Sequence, residues 1–113
     1  MSKIDYTIFD TIFAFTADAT VVCECESSVI VYENLAAKNI QQSSPINLVQ
    51  LAQNTFGVHN LSEIGYLPSF KETKMMVAEV EHILPHIILY LQLEIRQLLW
   101  ETQSLFVLSV VDN

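Results

Sequence analysis

Apolar side chains recur at helical spacing near the start of the chain. They form two adjacent i,i+4 ridges, made of Ile4, Ile8, Ile12, Phe9 and Phe13. The acidic residues Asp5 and Asp10 fall elsewhere on the helical wheel. This pattern predicts an amphipathic helix over residues 4–15. A helix of about three turns is marginal on its own, so we expect it to pack on another surface.

Two runs rich in β-branched residues follow, at 19–26 and 29–34, and the Ser27-Ser28 pair between them predicts a two-residue hairpin turn. In that register one face carries Val21, Cys23, Cys25, Ile30, Tyr32 and Asn34, and the other carries Val22, Glu24, Glu26, Val31 and Glu33. Because the three glutamates all fall on one side, the pattern is typical of a half-buried antiparallel hairpin.

The middle of the chain is predicted to form short helices. Residues 35–41 have a helix-favouring composition. The Ser44-Pro45 pair predicts the cap and the first position of a second helix. Residues 56–73 show no regular period, and Asn60 is a candidate cap for one helical turn within them.

From residue 74 onward the apolar period changes to two, which predicts strands at 74–83, 86–99 and 105–112. On the first of these strands, one face carries Met76, Ala78, Val80 and His82, and the other carries Val77, Glu79 and Glu81. The second strand alternates Ile87, Leu89, Leu91, Leu93 and Ile95 with Ile88, Tyr90, Gln92, Glu94 and Arg96. A long apolar run is also compatible with a buried helix, but this alternation favours a strand.

The predicted order is one helix, two strands, several short helices and a three-stranded meander. Every strand can pair antiparallel with its neighbours, and the short helices cluster between the second and third strands. This order predicts an α+β domain in which helices cover one face of an antiparallel sheet.

Composition restricts the classes of partner. The chain has 113 residues, enough for one domain, and its 13 acidic and five basic side chains give a net charge of −8. So few cations cannot neutralise a row of phosphates or an anionic membrane surface, so we expect neither nucleic acid nor direct membrane contact. The mean hydropathy of +0.36 is high for a monomer of this size, so we expect apolar surface to face another chain, a ligand or a neighbouring domain.

The cysteines and the hydropathy profile favour the cytoplasm. The most apolar stretch, residues 83–93, is shorter than the roughly 20 residues of a membrane span. Three aspartates in the first twenty residues would interrupt a signal peptide. On one strand Cys23 and Cys25 would stand about 7 Å apart, too far for a disulfide. The pair also offers too few ligands for a metal site, so we interpret both as small buried side chains.

Residues 19–40, with the sequence ATVVCECESSVIVYENLAAKNI, resemble the opening hairpin of PAS domains, the sensory modules of bacterial signalling proteins. In that family the second strand ends in an Asn-x-Ala step into a helix, which Asn34 and Ala36 match. The last strand of the family commonly ends in Asp, then a small hydrophobic residue and Thr; Asp112 fits this pattern and Asn113 does not.

The resemblance runs over residues 17–112. We therefore divide the chain into an N-terminal flanking helix, residues 1–16, and a PAS-like sensory domain, residues 17–113. The sequence departs from the family at the hairpin turn, where Ser27-Ser28 stands in place of the usual Asp-Gly. The helical middle, residues 42–73, carries no family signature.

The resemblance implies a five-stranded antiparallel sheet that cups a small-molecule pocket under the middle helices, in a domain that binds or senses and does not catalyse. It also implies a C-terminal output domain outside this chain, a diguanylate cyclase or a histidine kinase. A homodimer is expected through the flanking helix and the outer sheet face, using Ile4, Ile8, Phe9, Ile12 and Phe13, with Val77, Ile88 and Tyr90 on the sheet. The alternative is that the helix covers these sheet residues within one chain.

The pocket candidates follow from the predicted sidedness of the strands, and they are Cys23, Cys25, Ile30, Tyr32, Met76, Val80, Leu89, Leu91, Leu93 and Phe106. A pocket with this lining would hold a small, largely apolar ligand oriented by polar groups such as Tyr32. The alternative is a filled core in a ligand-free homodimerisation module.

Cofactor chemistry has little support in the sequence. Haem-binding relatives use a histidine in the helical middle, which makes His59 the nearest candidate, but no other feature marks a haem pocket. A flavin photoadduct is disfavoured because both cysteines lie on the first strand. The sequence contains no phosphate-binding loop, nucleophile elbow or zinc spacing, so we identify no catalytic or metal residue. A small stand-alone enzyme of ketosteroid-isomerase-like shape is the remaining catalytic alternative.

Overall fold

The computed structural model describes residues 5–43 and 47–112. Its elements, in chain order, are α1 (Ile8–Phe13), β1 (Ala19–Glu24), β2 (Ile30–Glu33), α2 (Leu35–Ser43), α3 (Leu48–Phe56), a 3-10 helix (Leu61–Tyr66), α4 (Pro68–Thr73), β3 (Met75–Leu84), β4 (Ile87–Trp100) and β5 (Gln103–Asp112). The five strands form one sheet in the order β2-β1-β5-β4-β3, and every neighbouring pair is antiparallel. The predicted α+β fold is therefore confirmed.

The middle helices cover one face of the sheet, which we call the inner face. They bury small and aliphatic side chains against the alternate residues of β1, β4 and β5. Phe70 on α4 and Phe106 on β5 meet edge to face in this core, with ring centroids 5.6 Å apart. Both rings are essentially inaccessible to solvent. Burial of this apolar surface is the main stabilising term of the fold.

Helix α1 lies on the opposite face of the sheet, the outer face. Phe9 is fully buried there against Val22, Leu105 and Val107. Its ring also contacts the ring of Trp100 with centroids 5.7 Å apart. A six-residue helix has little intrinsic stability, so these contacts hold it in place. The expectation that the first helix must pack on another surface is confirmed.

The first hairpin differs from the prediction. Five residues, 25–29, connect β1 and β2, and the Glu24 N–H donates to the Val29 carbonyl at 2.9 Å. The pairing also shifts between Val22 and Cys23, because a bulge places Val22 opposite Tyr32 and Cys23 opposite Ile30. The predicted two-residue turn and its register are therefore wrong. One extra residue in a strand exchanges the faces of the side chains beyond it.

The helical segments also differ in their bounds. Helix α1 is shorter than the predicted 4–15, and Ile4 lies outside the described residues. The predicted cap at Ser44-Pro45 also lies outside them, and α3 instead begins after Asn47, whose side chain accepts the Gln50 N–H at 3.0 Å.

Residues 56–73, which showed no period, contain the 3-10 helix and α4. The predicted cap at Asn60 is the N-cap of the 3-10 helix. The Glu63 carboxylate accepts the N–H groups of His59 and Asn60, each at 2.7 Å, and these hydrogen bonds lower the pKa of Glu63. Such local bonds carry no hydrophobic period, so the sequence pattern did not reveal this segment.

Candidate functional site

Most of the predicted pocket residues lie together on the inner face. Cys23, Leu91, Leu93 and Phe106 are buried in the inner core, and Cys25, Met76 and Val80 are partly buried against it. The structure thus brings these seven side chains into one cluster. Their predicted role in lining a ligand pocket stays a prediction, because the same space holds the ring of Phe70 and the side chains of α3 and the 3-10 helix.

Of the other three predicted pocket residues, one packs on the outer face, one is exposed at the edge of the sheet opposite Cys23, and one cannot be placed. Tyr32 packs on the outer face, where its ring centroid is 6.3 Å from that of Phe9, so its predicted inward orientation is wrong. Ile30 is 40% exposed on the edge strand β2. The bulge in the first hairpin accounts for Tyr32. The side chain of Leu89 lies outside the described residues.

The two cysteines differ in their surroundings. Burial raises the pKa of the Cys23 thiol to about 12. Cys25 is only half-buried, and its thiol donates to the Ser104 hydroxyl at 3.5 Å; burial raises its pKa as well. A raised pKa keeps the thiol protonated at neutral pH, so neither cysteine has the electropositive surroundings of a redox-sensing thiolate.

Alkylation should distinguish the two thiols. At about pH 8 we expect iodoacetamide to modify Cys25 first and Cys23 at least about 100-fold more slowly than in the unfolded chain, because the thiolate is the reacting form. Tandem mass spectrometry of the alkylated protein would locate the label. In urea both thiols should react at similar rates. Equal rates in the folded protein would contradict the assigned burial of Cys23.

His59, the candidate axial ligand for haem, lies at the surface. His59 is exposed at the start of the 3-10 helix, outside the inner core. This position does not favour an axial ligand, which needs an apolar pocket around it. The side chain of His82, predicted to face inward, lies outside the described residues. Across residues 5–43 and 47–112, no three metal-ligating side chains come together in a possible metal site.

The side chain of Asn34 joins three elements. Its carbonyl oxygen accepts the N–H of Thr20 at 3.0 Å and the N–H of Ala37, in the first turn of α2, at 2.9 Å. Its amide group donates to the carbonyl of Asp18 at 2.8 Å and to that of Phe13, at the end of α1, at 3.2 Å. Asn34 is only 2% exposed. This residue therefore ties the flanking helix to the start of β1 and to α2.

The other residues of the family motif are less informative. Ala36 is partly buried against the inner core, and the side chain of Asp112 lies outside the described residues. The sequence pattern identified Asn34 as a motif residue. It did not reveal the contact with α1, since Phe13 is distant from Asn34 along the chain.

The predicted dimer residues of the flanking helix divide into two groups. Phe9 and Phe13 face the sheet within the same chain and pack in the outer cluster. Ile8 and Ile12, one turn apart, are 42% and 55% exposed, and Phe15 just beyond the helix is 97% exposed. The remaining outer face also presents half-exposed apolar side chains, at Met75, Val77, Ile88 and Tyr90.

Beside α1 an open groove of about 940 Å³ runs along β2. It combines aromatic and acidic side chains, and its lining includes Tyr6, Asp10, Tyr32, Glu33 and Lys38. The Tyr32 hydroxyl donates to the Asp10 carboxylate at 3.4 Å. Desolvation and the nearby carboxylate raise the pKa of Tyr32, so its hydroxyl stays protonated. The groove therefore links the polar side of α1 to the edge strand.

The geometry matches that of PAS domains. The PAS domain of a two-component sensor histidine kinase superposes with a TM-score of 0.54 at 10% identity, covering 96% of each chain. The PAS domain of nitrogen regulation protein NR(II) from Vibrio parahaemolyticus gives 0.56 at 14% identity, covering 94% of this chain and 98% of the other. A PAS domain from Desulfitobacterium hafniense gives 0.53 at 12% identity, covering 91% and 99%.

The comparisons by sequence add nothing to this result: no protein-family profile and no curated protein matches the chain. The structural similarity extends over nearly the whole chain, but at this identity it establishes the fold alone. Among the described residues, no helix is both long and apolar enough to cross a membrane.

Proposed function

We propose that this chain, whose fold is that of PAS domains, is a cytoplasmic dimerisation and signal-relay module of a bacterial signal-transduction protein. Two copies associate through the exposed side of α1 and the neighbouring outer sheet face. The module passes a change in this association to a covalently linked C-terminal output domain. It has no catalytic role of its own.

The observation that carries this proposal is the exposed apolar surface of the flanking helix. Phe9 and Phe13 fix α1 to the sheet, so Ile8 and Ile12 are held in a defined position facing solvent. A monomer would leave these side chains and Phe15 in water without any compensating contact. Burial of such a stripe against a second copy would contribute roughly 25 cal/mol for each Å² removed from water.

The packing of the inner core supports relay without a resident ligand. Phe70 and Phe106 occupy the space between α4 and the sheet, where a pocket was expected. A small apolar ligand would have to displace these rings or enter beside them. Native mass spectrometry tests this directly, because a retained ligand adds mass that is lost on denaturation.

The type of output domain is a separate proposal. A sensor histidine kinase is named for one of the similar structures, which supports that type of output here. The diguanylate cyclase implied by the sequence resemblance is the alternative. Neither changes the role proposed for α1, because both kinds of output would receive the signal from a dimer.

Replacing Ile12 by glutamate should weaken the dimer by at least about tenfold. The side chain is more than half exposed, so the fold should tolerate the change, whereas an interface would have to bury an unpaired carboxylate. Sedimentation equilibrium of the purified chain would measure the dissociation constant. Circular dichroism would verify that the helical content is unchanged.

Leu99→Glu is the matched control, because Leu99 is 72% exposed on β4 and alternates with Leu98 and Trp100, which face α1. It should leave the dissociation constant unchanged. A wild-type chain that stays monomeric at high concentration would overturn the proposal. Equal weakening by both substitutions would instead indicate a different interface.

A further inference from the structure

Strand β3 has a free edge. It is the terminal strand of the sheet and spans Met75–Leu84, and among the described residues only β4 pairs with it. The pairing runs without a register shift from Met75 opposite Arg96 to Leu84 opposite Ile87. At ten residues this edge is much longer than that of β2, the four-residue strand at the other side of the sheet.

The hydrogen bonds at the start of β3 show which backbone groups point away from β4. The Lys74 carbonyl accepts the Gln97 N–H from β4 at 3.2 Å. By contrast, the Met75 carbonyl and N–H both bond the Thr73 hydroxyl, at 2.7 and 3.3 Å. Along an antiparallel strand, successive residues direct their backbone N–H and C=O groups alternately toward and away from the neighbouring strand. Val77, Glu79 and Glu81 therefore also direct these groups to the free edge.

The usual devices that block an edge strand are missing from most of β3. The strand contains no proline and no bulge, and Thr73 satisfies only the backbone groups of Met75. The strand carries two negative charges, Glu79 and Glu81, and both side chains are exposed on the outer face. Such an edge is a template for an added strand.

The negative charge of Glu79 and Glu81 favours a basic partner strand over a second copy of this chain at the β3 edge. A second copy pairing antiparallel through β3 would set Glu79 and Glu81 beside their counterparts, and directly opposed like charges are destabilising. On the outer face of β4, the Arg96 guanidinium is engaged at 3.0 Å by the Glu94 carboxylate. Beside the edge, a hollow of about 630 Å³ is lined by Glu79, Glu81 and Tyr90 together with Val80 and Leu91.

We propose that the β3 edge binds an extended segment of another protein as a sixth strand, with basic side chains at alternate positions. The basic residues would lie over Glu79 and Glu81, where the ring of Tyr90 offers an additional cation–π contact. The intervening apolar residues would continue the inner face beside Ala78 and Val80. Main-chain hydrogen bonds to Val77, Glu79 and Glu81 would set the register. This inference is independent of the proposed dimer.

A synthetic peptide of alternating lysine and valine tests the proposal with the whole chain as receptor. We expect saturable binding in isothermal titration calorimetry, with NMR shift changes confined to β3 and β4. Glu79→Pro should weaken binding at least about tenfold, since proline removes one edge N–H. The fold should tolerate this change because that N–H makes no bond to β4. A peptide N-methylated at alternate residues should also fail to bind the unaltered protein.

Charge is tested separately. The double variant Glu79→Gln, Glu81→Gln should lose most of the salt dependence of binding, whereas Glu101→Gln, in the turn between β4 and β5, is the matched control and should not. A peptide of alternating glutamate and valine should not bind. Equal binding of the acidic or N-methylated peptide, shift changes on β2, or no binding of the basic peptide would each overturn the proposal. Self-association abolished by Glu79→Pro would indicate a second copy as the occupant.

Discussion

Replacing Asn34 by alanine is expected to lower the free energy of unfolding by about 3–5 kcal/mol. The substitution removes the acceptor of the Thr20 and Ala37 N–H groups and the donor to the Asp18 and Phe13 carbonyls. Since Asn34 is almost completely buried, water cannot easily replace these partners. Urea denaturation followed by the fluorescence of Trp100, the single tryptophan, would measure the loss.

Asn47→Ala provides the control for this prediction. Asn47 caps α3 with one hydrogen bond and is exposed, so its loss should cost only about 1 kcal/mol. Asn34→Asp should cost at least as much as Asn34→Ala at neutral pH, because its second carboxylate oxygen would face the Asp18 and Phe13 carbonyls without a donor in a buried site. A loss below about 1 kcal/mol for Asn34→Ala would show that the hydrogen bonds of Asn34 contribute no more than an ordinary cap.

Replacing Phe70 by alanine should have an effect of similar size, about 3–5 kcal/mol, through a different cause. The ring is fully buried against Phe106, so its removal leaves a void between α4 and the sheet. An apolar void of this kind stays dry and accepts small apolar molecules. We therefore expect benzene to raise the thermal midpoint of the variant and leave that of the unaltered protein unchanged.

Phe15→Ala is the matched control, since the same substitution at a 97% exposed position should change stability by less than about 0.5 kcal/mol. Differential scanning calorimetry of both variants, with and without benzene, would measure these effects. If benzene stabilised the unaltered protein as well, a cavity would already exist under the helices. That outcome would favour the ligand-binding form of the module over simple relay.

The meander could be predicted in detail because its signal is local. Residues on β3 and β4 alternate in sidedness over long uninterrupted runs, and the register between them has no irregularity. Half-exposure of Val77, Ile88 and Tyr90 on the outer face agrees with the predicted alternation. The buried residues of these strands, such as Leu91 and Leu93, were likewise assigned to the correct face.

The first hairpin could not be predicted to the same degree. Its register depends on a bulge beside Cys23, which no hydrophobic period encodes. Ser28 adopts a left-handed conformation, with φ of 61°, which is uncommon for serine and has no strong sequence signal. The predicted register therefore places Tyr32 on the inner face, whereas its ring contacts Phe9 and Phe13 on the outer face.

The candidate site was predictable only in part, for a related reason. The sequence identified α1 as amphipathic, but the choice of which ridge faces the sheet depends on tertiary contacts. Contacts with Trp100 turn the Phe9 ridge toward the sheet, because the indole ring contacts Phe9 and the indole N–H donates to the Asp5 carbonyl at 3.2 Å. Long-range contacts of this kind leave no periodic mark on the sequence.

The pairing of β1 with β5 sets how the domain responds to mechanical force. Ala19, at the start of β1, lies opposite Val110, near the end of β5. A pull between the segments on either side of the domain would therefore act at one end of this strand pair and load its hydrogen bonds one after another, as in opening a zipper. Parting them requires far less force than shearing all of them at once. Tension along the polypeptide would thus detach α1 from the outer face first, and would then separate β1 from β5 starting at the end where Asn34 holds the flanking helix.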